Sequence, residues 1–213
     1  MKTYTIHLLR HGITQANLDG TYAGHEDLPL LPEGAAELRQ LKEQYIYPEV
    51  PVVFSSPLQR ARESASILFP DNEILIMDDC IEYNFGDFEG LTAEQLKDNK
   101  HFQEWFYGDG SVPALHGESN QEFSLRVCSA FEKVVEGLLK TGITEAAIVT
   151  HGGVIMTLMA TYAIPEAPMT DWLLENGAGY TLRLTPSLWS QIRKMEAIAK
   201  LPLVPEEEDP NGN

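Results

Sequence analysis

Apolar positions alternate at Tyr4, Ile6 and Leu8 and then run on through Leu9, the pattern of a strand covered on both faces at the middle of a sheet. Val52–Phe54, Ile74–Ile76 and Ala146–Val149 are further short apolar runs, and Tyr180–Leu184 makes a fifth. Helical signals fall between them. Pro32 opens a helix to about Tyr45, with proline in the first turn, where its missing N–H is not needed. Ser56-Pro57-Leu58-Gln59 reads as a capping box with Pro57 as first helical residue, and that helix runs to about Phe69. Thr92-Ala93-Glu94-Gln95 and Ser119-Asn120-Gln121-Glu122 repeat the box. After the latter, Phe123, Val127, Phe131, Val134 and Leu138 share one helical face. Leu188, Ile192, Met195 and Ala199 suit a helix, but a hairpin partner to the preceding strand suits the same stretch, and both stay open.

Strands alternating with helices of this length predict one α/β domain of three layers, α/β/α, around a mostly parallel sheet. The domain is expected to span 1–201. Residues 202–213 contain Glu206, Glu207, Glu208 and Asp209 and no Lys or Arg, so they are expected to form an acidic, disordered tail.

Composition narrows the partners. The 213 residues carry 15 Lys+Arg against 32 Asp+Glu, a formal charge of −17. That length supports a sizeable core, and the acidity excludes proteins that coat nucleic acid or anionic membranes. Cys80 and Cys128 make no disulfide framework. Residues 146–165 lack Asp, Glu, Lys and Arg and are long enough to cross a bilayer. His151, Gly152-Gly153 and three threonines break the stretch into strand, turn and helix, so it reads as buried core. No apolar signal core starts the chain, and a cytoplasmic location is expected.

Reactive groups in open α/β sheets gather at the carboxyl ends of strands. Those ends read Arg10-His11-Gly12…Asn17, Ser55-Ser56-Pro57…Arg60 and Thr150-His151-Gly152-Gly153, with Glu82 just beyond the third strand. Singly, each has an ordinary structural reading. Together they put two histidines, two arginines and a carboxylate around one crevice, a group suited to a phosphate rather than to a packed core. A neutral imidazole can attack phosphorus, arginines nearby keep it neutral, and a glutamate beside an apolar wall can stay protonated as an acid. Arg62 lies about 200° around the helix from Arg60, so only one of them faces the crevice. His7-x-x-x-His11 lies on a strand with no following Glu, and no metal site is expected.

Arg10-His11-Gly12 with Thr14 and Asn17 resembles the signature of the histidine phosphatase, or phosphoglycerate-mutase-like, superfamily. Ser55-Ser56-Pro57…Arg60-Ala61, Glu82…Phe85-Gly86…Glu89-Gly90, Gly117-Glu118-Ser119 and His151-Gly152-Gly153 follow in the family's order. The likeness covers roughly residues 3–200 and is greatest to the short bacterial phosphatases such as the α-ribazole phosphatases. The resemblance implies a phosphatase acting on a small phosphorylated metabolite, α-ribazole phosphate or a similar one, without metal or organic cofactor. It implies that His11 becomes a phosphohistidine. Arg10, Arg60 and His151 would hold the phosphoryl group, assisted by Asn17 and Gly152, and Glu82 would protonate the leaving alcohol. The alternatives are a phosphoglycerate mutase and a non-catalytic phosphate-binding module. Ile13, Leu31 and Met156 depart from the family pattern; Met156 stands where several phosphatases have Arg, which bears on substrate choice. Lys97–Leu115, with Trp105 and Tyr107, would be either helix packing or a lid over the leaving group. Glu118 would face the site or simply precede the Ser119 cap. An edge strand near the C-terminus would suit a homodimer.

Overall fold

In the computed structural model, which describes residues 2–108 and 110–205, the apolar runs become strands of one sheet. They are β1 (Tyr4–Arg10), β2 (Val53–Ser55), β3 (Ile74–Ile76), β4 (Glu145–Thr150), β5 (Ala163–Ile164), β6 (Gly179–Leu184) and β7 (Met195–Leu201). The order is β3-β2-β4-β1-β6-β7-β5. Pairs β1/β4, β2/β4, β2/β3 and β5/β7 are parallel; β1/β6 and β6/β7 are antiparallel. The helices are α1 (Gln15–Asp19), α2 (Pro32–Gln44), α3 (Gln59–Leu68), α4 (Ala93–Leu96), α5 (Lys100–Tyr107), α6 (Asn120–Thr141), α7 (Gly152–Tyr162) and α8 (Pro186–Ile192).

Successive side chains of a strand point to opposite faces, and the central strands divide their residues accordingly. Ile6, Leu8, Ala146 and Ile148 join Phe131 and Val135 of α6 and Ile155 and Leu158 of α7 in one core. Leu9, Ala147 and Val149 join Leu38 of α2 and Ala65 and Leu68 of α3 in the other. This is the expected three-layer arrangement. Parallel register then sets up the site: Arg10 lies opposite Thr150, and Ser55 opposite Val149. The residues that follow, His11, His151 and Ser56, therefore leave the sheet at the same edge.

The capping box at Ser119 forms as expected, with Glu122 N–H donating to Ser119 Oγ at 3.2 Å and Ser119 N–H to Glu122 Oε2 at 2.9 Å. Its five apolar residues are all buried. The box expected at Ser56 does not form. Helix α3 starts later, at Gln59, whose N–H donates to the Asp27 carboxylate at 2.5 Å; Ser56 Oγ accepts a long 3.4 Å bond from Leu58 N–H and pairs with His151 Nε2 at 2.7 Å. The box at Thr92 forms, but its helix stops at Leu96, and Asn99 caps α5 afresh by accepting from His101 N–H at 2.9 Å. Both readings of the C-terminal stretch hold in part: α8 ends at Arg193, in the left-handed region at φ 54°, and β7 then returns as the hairpin partner of β6. The short strand β5 has no sequence signal, because Ala163-Ile164 continues the apolar run of α7. Leu203 exchanges two backbone hydrogen bonds with Ile46, each 2.9 Å, so backbone pairing continues beyond Leu201. The rest of the expected tail, 206–213, lies outside the described residues. Among the described residues no helix is long and apolar enough to cross a membrane.

Candidate active site

His11 follows β1 and is buried, its N–H donating to Thr150 O at 3.0 Å. Its Nδ1 lies 2.6 Å from the Gly12 carbonyl. A carbonyl only accepts, so Nδ1 carries the proton and the lone pair of the neutral ring is on Nε2. The turn that presents the ring is held from three directions. Gly12 N–H donates to Ser64 Oγ at 2.9 Å, and that hydroxyl donates to Arg60 O at 2.6 Å. Asn176 Nδ2 donates to His11 O at 3.0 Å and Gly12 O at 3.2 Å. Tyr47 donates to the carbonyl of neighbouring Gly177 at 2.8 Å. The His151 ring stands 5.2 Å from that of His11, centroid to centroid, at 62°.

Two guanidinium groups belong to the same constellation. Arg60 is only 1% exposed and donates to the carbonyls of Gly24 and Glu26 at 2.7 Å each. Those carbonyls sit on a loop pinned by Glu89, which accepts from His25 N–H and Glu26 N–H at 2.9 Å each. Arg62 is exposed on the other side of α3, which resolves the choice between the two arginines. Arg10 donates to Leu174 O, while its Nε is buried with no partner; His151 Nδ1 is likewise buried and unpartnered. Gly152 lies alongside the Arg10 guanidinium, a side-chain carbon there meeting Arg10 Nε at an ordinary contact distance of 3.5 Å. Asn17 borders the cluster with its Oδ1 committed to Thr14 N–H and Oγ at 3.0 Å each.

Glu82 is buried as well, accepting from Tyr83 N–H at 2.8 Å and Gly153 N–H at 2.9 Å. A methyl on Gly153 would stand 2.4 Å from Glu82 Oε1, so a side chain at this position would displace the Glu82 carboxyl group. The loop carrying Glu82 is clamped by Arg126, which donates to the carbonyls of Asp79, Ile81 and Glu82 at 2.8, 2.7 and 2.8 Å. Glu118 balances Arg126 through bonds of 2.6 and 2.9 Å and accepts from Asn84 N–H at 2.7 Å. Glu118 thus belongs to the scaffold behind Glu82. Trp105 Nε1 donates to Tyr83 Oη at 3.2 Å, whereas Tyr107 is 79% exposed.

The electrostatics follow from this packing. Burial first, then the charges of Arg60 and Arg10, press the His11 pKa down to about 3, against the pull of the Gly12 carbonyl. Burial also holds His151 well below its ordinary range, helped by His11 and the same arginines. Burial raises Glu82, opposed by its two backbone hydrogen bonds and by Arg60 and Arg10. At neutral pH the crevice therefore holds two uncharged imidazoles and two cations, beside a carboxyl group whose pKa burial raises. Such a set can seat a tetrahedral dianion against fixed donors. Among the described residues no three His, Cys, Asp or Glu side chains converge to hold a metal ion. His7 points elsewhere, to Thr181 Oγ1 and Glu145 Oε1 at 3.0 Å each.

A stability consequence follows. The folded pKa of His11 lies below its unfolded value of 6.5, so the unfolded chain binds more protons between pH 6.5 and about 3. Acidification through that window costs about 1.4 kcal/mol per pH unit for this group. Urea unfolding from pH 7 down to 5 is expected to show that loss, and a shallower one in His11→Gln. Equal slopes in the two proteins would contradict it.

The profile of the histidine phosphatase superfamily (branch 1) matches residues 6–195. An adenosylcobalamin/α-ribazole phosphatase of Escherichia coli is 29% identical over 175 residues, 80% of this chain and 85% of that protein. A 2,3-bisphosphoglycerate-dependent phosphoglycerate mutase of Cytophaga hutchinsonii is 28% identical over 159 residues, 71% of this chain and 74% of that protein. The crystal structure of a putative α-ribazole-5′-P phosphatase from Escherichia coli superposes with a TM-score of 0.79 at 24% identity, covering 96% of this chain and 99% of that one; it has the same fold. The matched residues span both sheet-end histidines, both site arginines and Glu82. The chain belongs to branch 1 of the histidine phosphatase superfamily and, like the phosphatases among its relatives, is a hydrolase acting on phosphate esters.

Proposed function

We propose that this protein hydrolyses a small phosphomonoester through a phosphohistidine on His11, with α-ribazole phosphate among the candidates its relatives supply. The observation that carries the reading is the neutral His11 ring, its Nδ1 tied to Gly12 O at 2.6 Å. In the first step Nε2 attacks phosphorus and the bond to the ester oxygen breaks. Glu82 gives its proton to the departing alcohol. In the second, the Glu82 carboxylate takes a proton from water as the water oxygen attacks phosphorus, the N–P bond breaks and phosphate leaves. Arg10, Arg60 and His151 face the phosphoryl oxygens in both steps, with Asn17 and Gly152 at their edge.

The test is turnover of p-nitrophenyl phosphate, α-ribazole phosphate, phosphoserine and 3-phosphoglycerate in the presence of EDTA. Release of inorganic phosphate from at least one ester is expected, together with an acid-labile, base-stable phosphoryl group on the quenched protein. Abolition by EDTA, or conversion of 3-phosphoglycerate to 2-phosphoglycerate without phosphate release, would overturn the reading.

A further inference from the structure

Beside Glu82 the protein holds a cavity of about 440 Å³, within the size range of small-molecule sites. Its walls include Tyr83, Phe85, Trp105, Phe123 and Met156, with Gly153 beside the carboxyl group. The polar groups that reach it, Asn120, Ser124, Thr157 and Thr161, are uncharged. Glu82 is the one carboxyl group in the lining among the described residues, and no described Lys, Arg or His takes part. Arg126 on α6 lies over the Phe123 ring at 4.9 Å, but its guanidinium is outside the lining and is committed to Glu118 and the Glu82 carbonyl. The aromatic wall is braced: Trp105 packs edge-on against Phe85 at 5.9 Å, and Tyr83 against Phe123 at 5.3 Å.

The cavity opens at the carboxyl group that would protonate the ester oxygen, so it lies where the departing alcohol must go. A carboxylate placed there would lose its hydration without gaining a cation, a costly exchange. It would also face Glu82, and that repulsion hinders any state in which Glu82 is ionised. An apolar ring meets matched surface instead and excludes water from the acid. Resting on the hydrolase reading above, we propose that this cavity selects phosphomonoesters of uncharged, largely aromatic alcohols and rejects esters carrying a carboxylate, with Met156 as a specificity-determining residue. Met156 sits on the first turns of α7, behind Gly153, where a longer cationic side chain would supply the charge the lining lacks.

The experiment compares 1-naphthyl phosphate with phosphoserine for the native protein, Met156→Arg and Trp105→Ala, by kcat/KM, and follows 1-naphthol binding by intrinsic tryptophan fluorescence. The native protein is expected to prefer the naphthyl ester by about 10²-fold or more. Met156→Arg should narrow that ratio at least tenfold by raising turnover of phosphoserine. Trp105→Ala should narrow it by lowering turnover of the naphthyl ester and should diminish the naphthol signal. Equal kcat/KM for the two esters in the native protein would overturn the inference and leave the hydrolase reading standing. Saturable naphthol binding, weakened in both variants, with neither ester hydrolysed would overturn the hydrolase reading while the cavity keeps its assigned ligand class.

Discussion

Replacing His11 with alanine is expected to lower kcat by about 10⁴-fold or more, as removal of a covalent nucleophile does. The expectation comes from three features acting on one ring. The proton is fixed on Nδ1 by the Gly12 carbonyl, burial and two guanidinium charges keep the ring neutral, and Asn176 and Ser64 hold the turn that aims it. The ring needs no base to activate it, so no neighbour can take over when it is lost. His151 is the nearest substitute, yet its Nε2 is engaged by Ser56 Oγ at 2.7 Å. The loss should appear both in p-nitrophenyl phosphate turnover and in phosphoryl labelling of the acid-quenched protein. Undiminished labelling of His11→Ala would assign the nucleophile elsewhere. Because the imidazole is packed rather than exposed, the variant's urea midpoint is read beside its activity, to separate a missing nucleophile from a collapsed site.

Glu82→Gln gives the second large effect, and its signature is selectivity among leaving groups. An alkyl alkoxide cannot depart without a proton, and general acid catalysis contributes about 10²- to 10⁴-fold. A loss of that size is expected on α-ribazole phosphate, with a much smaller one on p-nitrophenyl phosphate, whose phenolate departs unaided. The pH profile gives the sign check. Burial raises the Glu82 pKa, so the protonated acid persists above the usual carboxylate range, and kcat/KM for alkyl esters falls as pH rises past that value. Glutamine has no proton to lose, and that alkaline decline should vanish. An equal loss on both esters with an unchanged profile would make Glu82 a structural group. Glutamine can still accept from Gly153 N–H or Tyr83 N–H, which limits the disturbance to the loop.

Sequence alone located the groups that would do chemistry and missed those that hold them. Arg10, His11 and His151 are readable because a parallel sheet delivers the residues after its central strands to one edge, and apolar runs mark strands. Helical angle tells that only one of Arg60 and Arg62 can face the crevice, and the family motif picks Arg60. Asn176 and Arg126 leave no such trace. Each acts by donating to backbone carbonyls from a distant segment, and a carbonyl carries no residue identity to pair with. Ser56 misled for a related reason: Ser-Pro-x-Gln fits a cap locally, but a hydroxyl beside His151 has a partner that no local pattern reveals. The break between α4 and α5 is likewise written in Asn99, whose capping power a continuous apolar face conceals.

The pairing of β1 with β4, and the reach of Asn176 back to His11, bear on how the protein acquires its activity. The parts of the site come from opposite ends of the chain and meet only when non-local strand pairing is complete, the slow class of folding event. Helices such as α6, with both ends capped from within their own sequence, can form well before that. Recovery of turnover after dilution from denaturant should therefore trail recovery of helical signal, and activity is a reporter of finished topology.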